Sequence, residues 1–141
     1  MKKEDIKQAI LFRGKEKSLS RRHPWLFSGA LKSVDKDIEE GDVVRVVSNY
    51  GDFLCVGHWQ SGSIAVKILS FEDIEIDFDF ILQRVKKAVE LRRDMGLFDD
   101  KDTTIFRLVN GEGDFLPSLI ADYYDGLVVL QFHSVGMWRL K

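Results

Sequence analysis

The chain has 141 residues, 45% of them apolar, and a formal net charge of −2. That composition suits one globular domain, or a small domain with part of another, and excludes a disordered polymer. No apolar run approaches the roughly 20 residues of a membrane span, so no membrane partner is expected.

The opening stretch "MKKEDIKQAILF" carries charge and a short apolar run, with no small-residue cleavage site, which argues against a signal peptide. Cys55 is the only cysteine. No internal disulfide can form, and a reducing cytoplasm is the expected location. In an apolar strand its thiol should be buried and inert.

Charge is unevenly distributed. From Arg13 to Lys32 six Lys/Arg stand against one Glu, whereas from Asp35 to Asp77 ten Asp/Glu stand against Lys36, Arg45 and Lys67. A fold polarised in this way presents one face that attracts phosphate and another that repels it. The basic part is "GKEKSLSRRHPWLFSGAL", Gly14 to Leu31. Ser18 or Ser20 can cap a short helical turn through "RRHPW", with Pro24 ending that turn or lying in its first residues. Backbone N–H groups there, beside Arg21 and Arg22, would suit a phosphate. His23 and Trp25 offer flat surfaces on which bases stack. The competing reading makes Trp25, Leu26 and Phe27 core residues edged by solvated cations. Gly29 either admits a nucleotide backbone or simply turns the chain.

Residues 41–70 read as β structure. "GDVVRVVS", "FLCVGHW" and "SIAVKIL" are short β-rich runs, separated by "NYGD" and "QSGS". Three closely spaced strands suggest a small barrel or curled sheet, with Gly57 marking a bulge. His58, next to Trp59, reads as a hydrogen-bonded structural histidine. His23, His58 and His133 lack ligand spacing, so no metal is expected.

From Phe78 to Met95 the period changes. Ile81, Leu82, Val85, Ala88, Val89 and Arg92 trace one face of a helix, with Gln83, Arg84, Lys86 and Lys87 facing out. Asp77 or Asp79 caps its start and Gly96 its end. "TIFRLVN", "PSLIADYY" and "DGLVVLQFH" then read as strands, and Asp125-Gly126 as a hairpin turn. "NGEGD" lacks the spacing of a nucleotide loop and reads as a turn. Glu112, Asp114, Asp122 and Asp125 could in principle pair as acid and base, but no pocket is legible in the sequence and no such role is assigned to them. "SVGMWRLK" ends without a capping signal after a meander too small to bury a core, so the chain is read as a fragment with an incomplete second domain.

Two stretches carry a family resemblance. "GKEKSLSRRHPWLFSGAL" is similar to the K-G-x-E-K-S-L-x-R-R-H-P-W-[VL]-F-S-G-A signature of bacterial large-subunit ribosomal RNA methyltransferases that join a PUA domain to a Rossmann-type domain. Arg13 stands where the family has Lys. "RLVNGEGDFLPSLIADYYDGLVVLQ", Arg107 to Gln131, resembles the family's G-E-[SG]-D-x-L-P-G-[LI]-x-[IV]-D-x-[YF] segment, with Ser118 in place of the usual Gly.

The resemblance implies an α+β chain in three parts: a PUA-like, RNA-binding β pseudo-barrel over 1–72, a linker helix region over 73–103, and the start of a small central α+β domain over 104–141. It implies S-adenosylmethionine as the methyl donor of the whole protein and C5 of a cytosine in 23S rRNA as its target. The donor-binding loop and the cysteine nucleophile of the family lie in the Rossmann domain, so Cys55 inherits no role. This segment is then expected to bind neither cofactor nor metal and to be non-catalytic. The expected RNA-binding residues are Lys15, Lys17, Ser18, Arg21, Arg22, His23, Trp25, Gly29 and Lys32. The whole protein is open to being a homodimer. A stand-alone protein-interaction or dimerisation module, with no enzymatic role, is the alternative.

Overall fold

The computed structural model describes residues 6–140. Residues 1–5, on which part of the signal-peptide reading rests, and residue 141 lie outside the described residues. Six strands form the first sheet: β1 (Lys7–Leu11), β2 (Trp25–Phe27), β3 (Leu31–Val34), β4 (Val43–Val47), β5 (Phe53–Trp59) and β6 (Ile64–Ser70), with the short helix α1 (Lys17–Ser20) between β1 and β2. Their order is β2-β6-β5-β4-β1-β3. β1 and β4 run parallel and the other pairs antiparallel. The two outer strands, β2 and β3, are consecutive in the chain and joined only by the turn Ser28–Ala30. Such a short link forces the sheet to curl until its edges approach, which makes it a pseudo-barrel. Ala9, Leu11, Leu26, Val44, Val46, Cys55, Val66 and Ile68 fill its interior, with Leu19 of α1 packed among them.

β4, β5 and β6 fall on the three runs read as strands. β1, β2 and β3 were not read from the sequence. They are too short for a period-2 pattern to show, and two of them flank the glycines and serines of a segment that reads as turn. Gly57 sits where the β5–β6 register shifts. A Cβ there would lie 2.2 Å from the Lys67 carbonyl oxygen, so only glycine lets the two strands close.

The second unit consists of α2 (Phe78–Asp94), the antiparallel sheet β7 (Ile105–Asn110), β8 (Leu119–Tyr124) and β9 (Leu127–Phe132), and α3 (Val135–Arg139). Asp77 caps α2 by accepting from the Phe80 N–H. Asp125 and Gly126 both have positive φ and form a two-residue β8–β9 hairpin. The meander does not bury a core by itself: Leu108, Val109, Leu119 and Ala121 pack together with Leu116, Ala88 of α2, Leu69 of β6 and Met137 of α3. The chain end departs from expectation: Ser134 caps α3 by accepting from the Met137 N–H.

β6 joins the two cores. Side chains alternate across a strand. Val66 and Ile68 enter the barrel, whereas Leu69 enters the second core and Lys67 Nζ donates to Ser118 Oγ at 2.6 Å. No helix among the described residues is long and apolar enough to cross a membrane.

Candidate nucleic-acid interface

The basic segment leaves β1 through a turn in which Gly14 has φ +80 and the Lys15 N–H donates to the Phe12 carbonyl. It then forms α1, a single turn anchored by buried Leu19. The helix starts earlier than the "RRHPW" reading. Glu16 is its first flanking residue, no side chain caps it, and the Ser20 hydroxyl donates back to the Lys17 carbonyl. Neither serine therefore acts as the cap, and Pro24 falls outside the helix. One turn of four residues also presents no usable N-terminal phosphate site; the charge must come from side chains.

Those side chains are available. Lys15, Lys17 and Arg21 are exposed and form no ion pair among the described residues. Arg22 has φ +55, unusual for a residue with a Cβ, and its guanidinium lies over the Phe71 ring at 5.6 Å. Ser18 is half-buried, and its carbonyl accepts from the Arg21 and His23 N–H groups. His23 Nδ1 accepts from the Trp25 N–H at 3.2 Å. The His23 ring sits 5.9 Å from both the Trp25 and Phe27 rings. Every second residue, 23, 25 and 27, thus contributes to one aromatic row, while Leu26 points into the barrel with no exposure. Phe27 is exposed rather than core, and it completes a row of which the sequence indicated only the first two members. Trp25 is half-buried: its Nε1–H donates to Glu112 Oε1 at 3.0 Å, across to the second unit.

Lys32 and Gly29 lie on β3 and in the Ser28–Ala30 turn rather than on α1. Lys32 Nζ donates to Asn49 Oδ1 at 2.6 Å, which ties it to the β4–β5 turn. Gly29 lies in the Ser28–Ala30 turn, where a Cβ would meet nothing within 4 Å, so packing does not demand a glycine.

Between the two units lies a cleft of about 610 Å³, which no sequence motif announced. Arg22 and Phe71 stand on one side, Phe80, Arg84 and Lys87 of α2 on the other, with Phe115 also lining it. Arg84 was expected to face solvent. Instead its guanidinium packs 5.0 Å from the Phe80 ring and 5.1 Å from the Phe115 ring, and its Nη2 donates to the Leu69 carbonyl. Burial lowers its pKa, against the pull of Glu72.

The acidic residues near the "NGEGD" turn are held by partners. Arg92, buried on α2, makes a two-pronged pair with Asp114 at 2.6 and 2.8 Å. Asp114 also accepts from the Asn110 N–H. Asp122 pairs with Arg107, whose hydrogen bond holds the carboxyl below the ordinary range. Among the described residues no cluster could hold a metal ion.

His58 departs from expectation. It is 2% exposed, its Nδ1 has no hydrogen-bond partner, and the α3 backbone at Gly136 presses on its ring. Burial first, then the Arg139 and Lys67 charges, lower its pKa to about 4. Burial likewise pushes the Cys55 thiol up to about 12.

Residues 9–71 match the PUA-like domain family. Ribosomal RNA large subunit methyltransferase I of Erwinia tasmaniensis is 38% identical over 129 residues, covering 90% of this chain and 32% of that protein. The protein of the same name from Aeromonas salmonicida is 39% identical over 128 residues, covering 89% and 32%. A Streptococcus mutans chain described as a SAM-dependent methyltransferase superimposes with a TM-score of 0.79 at 18% identity, covering 94% of this chain and 34% of that one. The chain spans about a third of the length of the curated relatives it matches. Over residues 9–71 the chain is therefore similar to PUA-like domains, and along nine-tenths of its length it is similar to a third of ribosomal RNA large subunit methyltransferase I.

Proposed function

We propose that this chain is the RNA-positioning part of an S-adenosylmethionine-dependent methyltransferase that acts on C5 of a cytosine in 23S rRNA. The observation that carries the reading is the strip of Lys15, Lys17 and Arg21, exposed and unpaired among the described residues, beside the His23–Trp25–Phe27 row. Cations free of internal partners neutralise phosphates without breaking anything in the protein. Phosphate contacts of this kind fix register and carry little sequence information. The relatives' name supports rRNA as the polymer.

Among the described residues the glycine-rich turn "NGEGD" does not fit the methyl donor: Asp114 is held by Arg92 and Glu112 by Trp25, and the turn leads into a strand rather than an α-helix. No step of methyl transfer is assigned to these residues. The role assigned to this chain is to hold and orient RNA.

Two measurements test the proposal. Binding of a 23S rRNA fragment through four or five cations should show a log–log salt slope of about −3 to −4. Reversing Lys17 and Arg21 together to Glu should bring that slope about 2 closer to zero. Unchanged binding by this variant would remove the strip from the RNA surface. For the chemistry, 23S rRNA treated with the whole protein and S-adenosylmethionine should carry its new methyl group on cytosine C5. A methyl elsewhere would refute that part.

A second reading, a protein-interaction or dimerisation module, is favoured by one feature. β9 is an outer strand, and Leu127, Val128, Val129 and Leu130 on it are all exposed. Sedimentation of the chain over a concentration series distinguishes the readings, since association that survives high salt and competes with RNA would support this one.

A further inference from the structure

We propose that the cleft between the two units takes one unstacked nucleotide from a single-stranded segment of the bound RNA. The inference rests on the RNA-binding reading and adds a site to it. Two arginine–aromatic pairs line the cleft, Arg22 over Phe71 and Arg84 against Phe80 and Phe115. Splayed-out bases are recognised by stacking on aromatic rings and on guanidinium planes. Arg84 is held by two rings and the Leu69 carbonyl, so its position at the cleft is preorganised.

Phe115 adds an independent observation. It is 63% exposed and has φ +57, a left-handed conformation that aromatic residues rarely adopt. The conformation is held by its neighbours: the Phe115 N–H donates to the Glu112 carbonyl and the Leu116 N–H to the Gly111 carbonyl. Neither burial nor backbone preference accounts for a phenyl ring in that place. A ring held out beside a cleft, at a cost in backbone strain, is the kind of feature found at ligand sites.

The charges narrow the ligand. Arg22, Arg84 and Lys87 line the cleft, but so do Glu72, Asp79 and Glu112. A channel for a run of phosphates would not be balanced in this way. A single nucleotide suits it, with its phosphate toward Arg22 and Lys87 and the amino edge of its base toward a carboxylate. Glu112 already accepts from Trp25, which leaves Glu72 and Asp79 for that contact. Arg22 lines the cleft and directly follows Arg21 of the basic strip in the chain, so the strip and the cleft adjoin.

The test uses a short single-stranded oligoribonucleotide carrying 2-aminopurine, whose fluorescence is quenched when the base stacks. Titration with the chain should quench it. Phe115→Ala should relieve the quenching and weaken binding by about 5- to 150-fold, the value of one base–aromatic stack, with the salt slope unchanged. Phe115→Tyr keeps a ring and should behave as the parent. Paired reversal of Lys15 and Arg21 to Glu should flatten the salt slope while leaving the quenching at saturation intact. If Phe115→Ala quenches and binds like the parent, the cleft proposal is overturned while the strip stands. If the reversal leaves the slope unaltered, the strip reading fails instead. Absence of any RNA binding overturns both.

Discussion

Several side chains act against the ordinary preference of their type. His58 is the sharpest case, a buried imidazole with an unpartnered nitrogen and two cations near it. Its folded pKa of about 4 lies below the ordinary value of 6.5, so between those values the unfolded chain binds a proton that the folded chain does not. Stability contributed by the neutral ring is complete above about pH 6.5 and is lost as pH falls toward about 4. The loss should be about 3 kcal/mol. Urea unfolding at a series of pH values should show this decline, and His58→Phe should show much less of it. An equal decline in the variant would place the titration elsewhere. Asp122, kept ionised by its hydrogen bond from Arg107, adds its own loss at lower pH. Ser118 works differently. It has φ +70, where glycine would be unstrained, but its hydroxyl accepts from Lys67 across the two units. The serine thus exchanges some backbone strain for a tie between sheets.

Among the elements, α2 shows how a charged residue comes to lie on an apolar stripe. Arg92 continues the helical spacing of Ala88 and Val89, and it is buried because Asp114 and the Arg107 carbonyl take up its donors. Removing one partner strands the other charge away from water. Asp114→Ala should cost about 3–5 kcal/mol, read by chemical denaturation. The "NGEGD" turn should loosen with it, since the Asn110 N–H also loses its acceptor. A loss below about 1 kcal/mol would mean that water reaches Arg92 freely. The carboxylates of this turn thus have structural partners, Asp114 in Arg92 and Glu112 in Trp25.

For the whole molecule, the point of interest is that one strand serves two cores. β6 packs Val66 and Ile68 one way and Leu69 the other, and polar ties that include Trp25–Glu112, Lys67–Ser118 and Arg139–Asp42 cross between the units. A shared strand couples the halves, so denaturation should be a single transition by far-UV circular dichroism. Trp25→Phe keeps the ring and removes the indole donor. It should lower stability by about 1 kcal/mol and raise amide exchange at Glu112 and Gly113 more than in β4 or β5. Uniformly faster exchange would show that the tie acts on the barrel rather than between the units. Glu112, which accepts the tie from Trp25, also lines the cleft.

The sequence by itself was enough for what depends on local order. Period-2 runs marked β4 to β6, a period near 3.6 with Asp77 and Gly96 marked α2, Asp125-Gly126 marked its hairpin, and the density of charge marked the basic strip. These signals arise from residues a few positions apart, and each is decided by backbone geometry or by local electrostatics. Tertiary structure decided the rest. β2 and β3 exist because long-range pairing with β6 and β1 rewards strands of three and four residues that have no pattern of their own. Arg84 turns inward because Phe115, 31 positions further along the chain, meets its guanidinium only after folding and joins Phe80, one helical turn before it. His58 loses its expected hydrogen bond because α3, far along the chain, packs its backbone onto the ring. Contacts of that kind follow from which elements meet, and that is settled by the burial of two cores against one shared strand.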